Sequence, residues 1–242
     1  MLDKTKYRMI IDPPSEGLFN MNKDVELMES LSPTDNPILR LYSWNPWCLS
    51  LGYNQKDDGI LKDKLYKDGY EIVRRPTGGR GVFHANELTY SIVTHLDNTR
   101  TKDYVYQEVH TLIAEVLRNI GLEVDFVKTN PDFKNFYKSD ERSVSCFASS
   151  ARYELTYDNK KIVGSAQRIF GDKLLQHGSI LIDYGFEKIA DYATEDEEKA
   201  NRLKDFTLKT AIPINAIAPN KVTPESLITS FQSTFDKLNI LA

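Results

Sequence analysis

The chain has 242 residues, 40% of them hydrophobic and 11% aromatic, enough to fill the core of one large α/β domain or two small ones. A net charge of −4 argues against a nucleic-acid protein, and the longest apolar runs, such as residues 180–182, are too short for a membrane span or signal peptide. Two cysteines, Cys48 and Cys146, make no secreted disulfide framework and no Cys/His cluster has zinc-ligand spacing, so free thiols, no metal and a cytoplasmic location are expected.

Asn20 is placed to cap a helix running to about Leu31, with Met21, Val25, Met28 and Leu31 on one face. Residues 37–44 and 48–53 read as short apolar strands joined by Asn45-Pro46, followed by a polar helix ending near Gly69 and a strand at 70–74. That strand runs into RRPTGGRGVFH, residues 74–84. Its glycines can take positive φ and expose backbone N–H groups, and three arginines and a histidine surround them, which suits an anionic or carbonyl-bearing ligand. An ordinary loop with solvated charges is the competing reading. Residues 87–95 form another strand, and residues 103–120 are the clearest helix, with Val105, Val109, Leu112, Ile113, Val116, Leu117 and Ile120 on one face and Gly121 at the stop.

From residue 151 the pattern becomes a meander of three antiparallel strands, 152–157, 161–170 and 173–184, with turns at Asp158-Asn159-Lys160 and Gly171-Asp172. Terminal helices are expected over about 187–242. The acidic run at 191–198 reads as the solvated start of a surface helix, and Thr223-Pro224 opens another with Leu227, Ile228, Phe231, Phe235 and Leu238 on its face. With no repeat and no linker, residues 1–242 are expected to form a single domain.

Cys146 lies between polar residues 143–145 and small residues 148–150, which suggests an accessible loop. A reactive thiolate needs a nearby cation or base, and Lys161, at the start of the strand after the first turn, is placed to come back alongside that loop. A lone cysteine is otherwise a small buried hydrophobe, a description that fits Cys48 between Trp47 and Leu49. Lys160 reads as a solvated surface residue. Gly164, Ser165 and Ala166 are too small to fill a core and let a ligand or another backbone approach. His84 and His177 fit a structural hydrogen bond first and a proton transfer second, while His95 and His110 show nothing to single them out.

The segments RRPTGGRGVFHANELTYSIV, SCFASSARYEL, KKIVGSAQ and LLQHGSILID, with NMNKDVELM and PILRLYSWNPWCLSLGYNQ before them, resemble the biotin/lipoate protein ligase superfamily over most of residues 16–185. Within it the chain is most similar to the cysteine-dependent octanoyltransferases of lipoate assembly, because the SCF cysteine is absent as a nucleophile from the lipoate–protein ligases that share the RR-x-[ST]-GG and K-[IV]-x-G-[ST]-A elements. The resemblance implies an α/β (α+β) fold with a mixed, largely antiparallel sheet flanked by helices. It also implies Cys146 as acyl acceptor and Lys161 contacting the acyl carbonyl or activating the thiol. Arg75, Thr77, Gly78, Gly79 and His84 would lie near the ligand, with Gly164, Ser165 and Ala166 across from them. The implied partners are octanoyl-acyl carrier protein as donor and a lipoyl domain or glycine cleavage H protein as acceptor, with no cofactor. Two departures matter: ligases commonly carry a third glycine where this chain has Arg80, and residues 186–242 leave little room for an accessory domain. An ATP-dependent lipoate–protein ligase, an octanoyl amidotransferase between lipoyl domains and a non-catalytic acyl- or biotin-binding regulator are the rival readings. Nothing before residue 20 supplies a helix-turn-helix module for the last of these.

Overall fold

The computed structural model describes residues 6–126 and 154–238. In chain order the first half contains β1 (Arg8–Ile11), α1 (Gly17–Ser30), β2 (Ile38–Tyr42), β3 (Cys48–Leu51), α2 (Lys62–Lys67), β4 (Glu71–Arg74), β5 (Val82–His84), β6 (Glu87–His95), α3 (Lys102–Asn119) and β7 (Asp125–Phe126). The second half contains β8 (Leu155–Tyr157), β9 (Lys160–Lys161), β10 (Val163–Phe170), β11 (Lys173–Leu181), then short α4 (Ala190–Ala193), α5 (Glu197–Thr210) and α6 (Pro224–Lys237). A five-stranded sheet has the order β1-β2-β6-β11-β10, parallel only between β1 and β2. A smaller sheet, β4-β3-β5, and a hairpin-based one, β7-β8-β9, complete the mixed, largely antiparallel architecture that the sequence implies.

The central strand β6 is covered on both faces, and its alternation decides what each face does. Leu88, Tyr90 and Ile92 point into a large apolar core with Val105, Val109 and Ile113 of α3 and Phe231 and Phe235 of α6. Thr89 and Ser91 face the other way, where the Ser91 hydroxyl donates to Asp24 of α1 at 2.7 Å. The helices that close the apolar side carry the caps the sequence calls for. The Thr223 hydroxyl accepts from the Ser226 amide within a capping box ahead of Pro224, and Gly121 ends α3 with φ of 84°.

The opposite face buries charge. Arg40 of β2 is fully enclosed and donates to Asp24 Oδ1 at 2.8 Å and Asp12 Oδ2 at 2.6 Å, and the Tyr42 hydroxyl donates to Asp24 Oδ2 at 3.0 Å. Burial alone would push Asp24 up, but the hydrogen bond from His177, with the charge of Arg40 and the hydrogen bond from Ser91, holds its carboxyl below the ordinary value. A buried ion pair persists only when it is fully hydrogen-bonded in this way.

Two expectations need correction. Asn20 does not cap α1 but sits inside it, because its side chain is claimed by distant backbone: Nδ2 donates to the carbonyls of Ser15 at 3.0 Å and Ser43 at 3.1 Å, and Oδ1 accepts from Arg40. The strand expected over 161–170 is split. β9 pairs with β8, β10 pairs with β11, and Ile162 serves both neighbours, its N–H donating to Leu155 and its carbonyl accepting from Leu181, each at 3.0 Å. The hairpin turn before it has both Asp158 and Asn159 at positive φ, 47° and 60°, as a two-residue connection demands.

Candidate active site

The RRPTGG turn is held from within. Arg75 is buried and donates to the carbonyls of Ser50 at 3.1 Å, Gly78 at 2.8 Å and Arg80 at 2.7 Å. Arg74 donates to the carbonyls of Gly52 at 2.8 Å and Gln55 at 2.6 Å, and Arg168 donates to that of Pro76 at 2.8 Å while stacking 3.7 Å from the Tyr53 ring centre. These guanidinium groups therefore clamp loop backbone, a structural use that the anion-site reading of the sequence did not include. Gly79 takes φ of 95°, whereas a Cβ on Gly78 would meet open space. A glycine not singled out from the sequence is demanded more strictly: a Cβ on Gly52 would lie 1.9 Å from the Gly79 carbonyl oxygen.

Two imidazoles tie the turn to the main sheet. His177 of β11 has Nδ1 3.3 Å from Asp24 Oδ2 and Nε2 2.5 Å from Thr77 Oγ1. The carboxylate only accepts, so Nδ1 carries the proton and Nε2 accepts from the Thr77 hydroxyl. Burial lowers the His177 pKa, with Asp24 opposing, and the ring is neutral. His84 repeats the pattern, with Nδ1 2.8 Å from Glu87 Oε1 and Nε2 2.7 Å from Ser50 Oγ, while Trp44 stacks on it with ring centres 3.9 Å apart. The Trp44 indole N–H in turn donates to Thr89 at 2.7 Å.

Between the two sheets these groups line a narrow, partly open cavity of about 30 Å³, the room of a water molecule or two. Met21, Tyr42, Trp44 and Val82 supply its apolar wall. Arg75, His84, Gly164, Ser165 and Ala166 line it, and the last three are its partly exposed rim. Thr77, Gly78 and Gly79 do not line the cavity; Thr77 braces His177 and Gly78 braces Arg75 from behind.

Lys161 is not among the lining residues. It is 1% exposed, its Nζ lies 3.0 Å from Glu154 Oε2, and its carbonyl accepts from the Ile212 amide at 2.9 Å. Cys146 lies outside the described residues. Cys48 is fully buried, and burial followed by the nearby Glu71 charge pushes its thiol up, as suits a core residue.

The sequence also gave no sign of His110. Its Nδ1 faces the Tyr106 carbonyl at 3.0 Å and its Nε2 faces Ser165 Oγ at 2.9 Å. The carbonyl fixes the proton on Nδ1, so Ser165 donates to Nε2 and accepts from the Tyr90 hydroxyl at 2.7 Å. Gly178 makes room for the arrangement, because a Cβ there would lie 2.5 Å from Ser165 Oγ and 2.7 Å from a Tyr90 ring carbon. Burial, and then the charge of Lys161, lowers His110 to about 3. The available signal was periodicity: His110 precedes Ile113 and Leu117 by three and seven residues, on the buried stripe of α3.

The fold is that of lipoate protein ligases. The bi-partite lipoate protein ligase of Thermoplasma acidophilum superposes with a TM-score of 0.77 at 18% identity, covering 98% of this chain and 85% of that one. Residues 16–236 match the lipoyl protein ligase A/B catalytic domain, and the chain belongs to that family. It is 37% identical over 212 residues to the octanoyltransferase LipM of Clostridioides difficile, covering 85% of this chain and 77% of that protein. The octanoyltransferase LipM of Staphylococcus aureus is 35% identical over 230 residues, covering 92% and 83%. Among the described residues no helix is long and apolar enough to cross a membrane.

Proposed function

We propose that the chain is an octanoyltransferase of lipoate assembly, acting in the cytoplasm as one catalytic domain over residues 1–242, with a thioester on Cys146 as its intermediate. The observation that carries this reading is the similarity to curated octanoyltransferases over 85% and 92% of the chain. Octanoyl-acyl carrier protein is the donor, and the lysine of a lipoyl domain or glycine cleavage H protein is the acceptor.

The acyl chain enters against Met21, Tyr42 and Val82, and the carbonyl stays at the rim near Gly164 and Ala166. The Cys146 thiolate adds to that carbonyl, the carrier thiolate leaves, and one thioester replaces another at little net free-energy change. The neutral lysine amine then attacks, an amide forms, and the Cys146 thiolate departs as the amine proton is taken up. No nucleotide is consumed. Each step develops an oxyanion, which backbone N–H groups at the rim stabilise by hydrogen bonding and the buried ammonium of Lys161 stabilises by its charge from behind the rim. The same charge favours the thiolate form of Cys146.

The test is intact mass after incubation with octanoyl-acyl carrier protein and a lipoyl domain, with and without ATP. Acyl transfer without ATP is expected, through an adduct that Cys146→Ser abolishes and Cys48→Ser keeps. Modification that requires ATP and free acid would establish a ligase instead.

A further inference from the structure

We propose that Glu154 is the positioning residue for Lys161, holding its ammonium charged and in place inside the protein. The inference rests on the function given to Lys161 above. The Lys161 and Glu154 side chains are 1% and 3% exposed, with Nζ 3.0 Å from Oε2. An ammonium removed from water is costly unless an opposite charge and hydrogen bonds replace the lost solvation, and a partnerless one sheds its proton or swings out. Here the compensation comes from the same hairpin. Lys161 stands opposite Thr156, and Glu154 is two residues before Thr156, so it is the diagonal neighbour of Lys161 on one face of the sheet. Lys160, opposite Tyr157, points the other way and is partly exposed. Among the described residues, α3 brings His110 and β6 brings Tyr90 close to the pair, the first lowered and the second raised by burial. Glu154 is therefore a countercharge that lets a buried lysine serve as a fixed cation.

The experiment measures single-turnover acylation by octanoyl-acyl carrier protein in wild type, Glu154→Gln, Lys161→Gln and the double variant, recording rate constant and burst amplitude separately. The expected result for Glu154→Gln is a rate constant about tenfold lower or more, with an unchanged carrier concentration at half-saturation and a double variant no slower than Lys161→Gln alone. A purely structural ion pair would lower the amplitude, by reducing the folded fraction, and leave the rate constant alone. A wild-type rate constant in Glu154→Gln, or losses that multiply in the double variant, overturns the proposal. If Glu154→Gln does not fold, Glu154→Asp decides: it keeps the charge one methylene further away, so a rate constant above that of Lys161→Gln is expected, and one as low as that of Lys161→Gln overturns the proposal. Failure of the wild type to acylate, or a wild-type rate in Lys161→Gln, removes the underlying function and the proposal with it.

Discussion

His110 makes the protein acid-sensitive, and the size of the effect follows from its surroundings. The imidazole titrates near 6.5 in the unfolded chain and at about 3 when folded, so the unfolded state takes up a proton that the folded state refuses. A histidine whose folded value is depressed contributes stability that is present above pH 6.5 and lost as pH falls towards 3. Between pH 7 and 5 the loss from this one group is about 2 kcal/mol. For a chain of this length that corresponds to a melting temperature lower by about 4–8 °C. His110→Gln keeps a polar partner for Ser165 but cannot titrate. It is expected to be about 1 kcal/mol less stable than wild type at pH 7, from poorer hydrogen bonds, and about 1 kcal/mol more stable at pH 5. Urea unfolding of both proteins at the two pH values measures the difference of differences. His177 and Asp24 also weaken the fold in acid, but they are common to both proteins and cancel. An equal acid loss in wild type and variant would refute the reasoning.

Gly178→Ala drives a Cβ to 2.5 Å from Ser165 Oγ and 2.7 Å from the Gly164 carbonyl, so β10 must move; about 1–3 kcal/mol of destabilisation in urea unfolding is expected. Its acylation rate should fall by more than that of an equally destabilised distant variant, because the rim itself shifts. Thr223→Ala removes the cap of α6 and should cost about 1 kcal/mol in the same unfolding assay while leaving acyl transfer intact.

What was legible in the sequence was local. β6 matches its expected bounds of 87–95, and α3 and α6 lie within a residue of their expected starts, because β-branched runs, helical periodicity and a Thr-Pro cap act over a few residues. Motif residues Arg75, His84 and Gly164 to Ala166, far apart in the chain, line one cavity. What escaped was settled by distant partners. Asn20 has the chemistry of a cap, yet Ser15, Ser43 and Arg40 take its donors and acceptor. His110 meets Ser165 across 55 residues. Glu154 gains meaning only once the Asp158-Asn159 turn sets the strand register, and Gly52 only once the RRPTGG turn folds over it.

The handover at Ile162 has a consequence for how this gene can change in length. A residue added at the Asp158-Asn159 tip merely lengthens an exposed loop, and both sheets keep their pairing. A residue added or lost beside Ile162 would slide β10 by one position along β11 and exchange its two faces, turning Gly164 and Ala166 away from the cavity and the Ser165 side chain away from Tyr90 and His110. Insertions and deletions are therefore tolerable at the tip and ruinous three residues later. The separation of Lys161 from Gly164 is a fixed ruler between the cation and the rim.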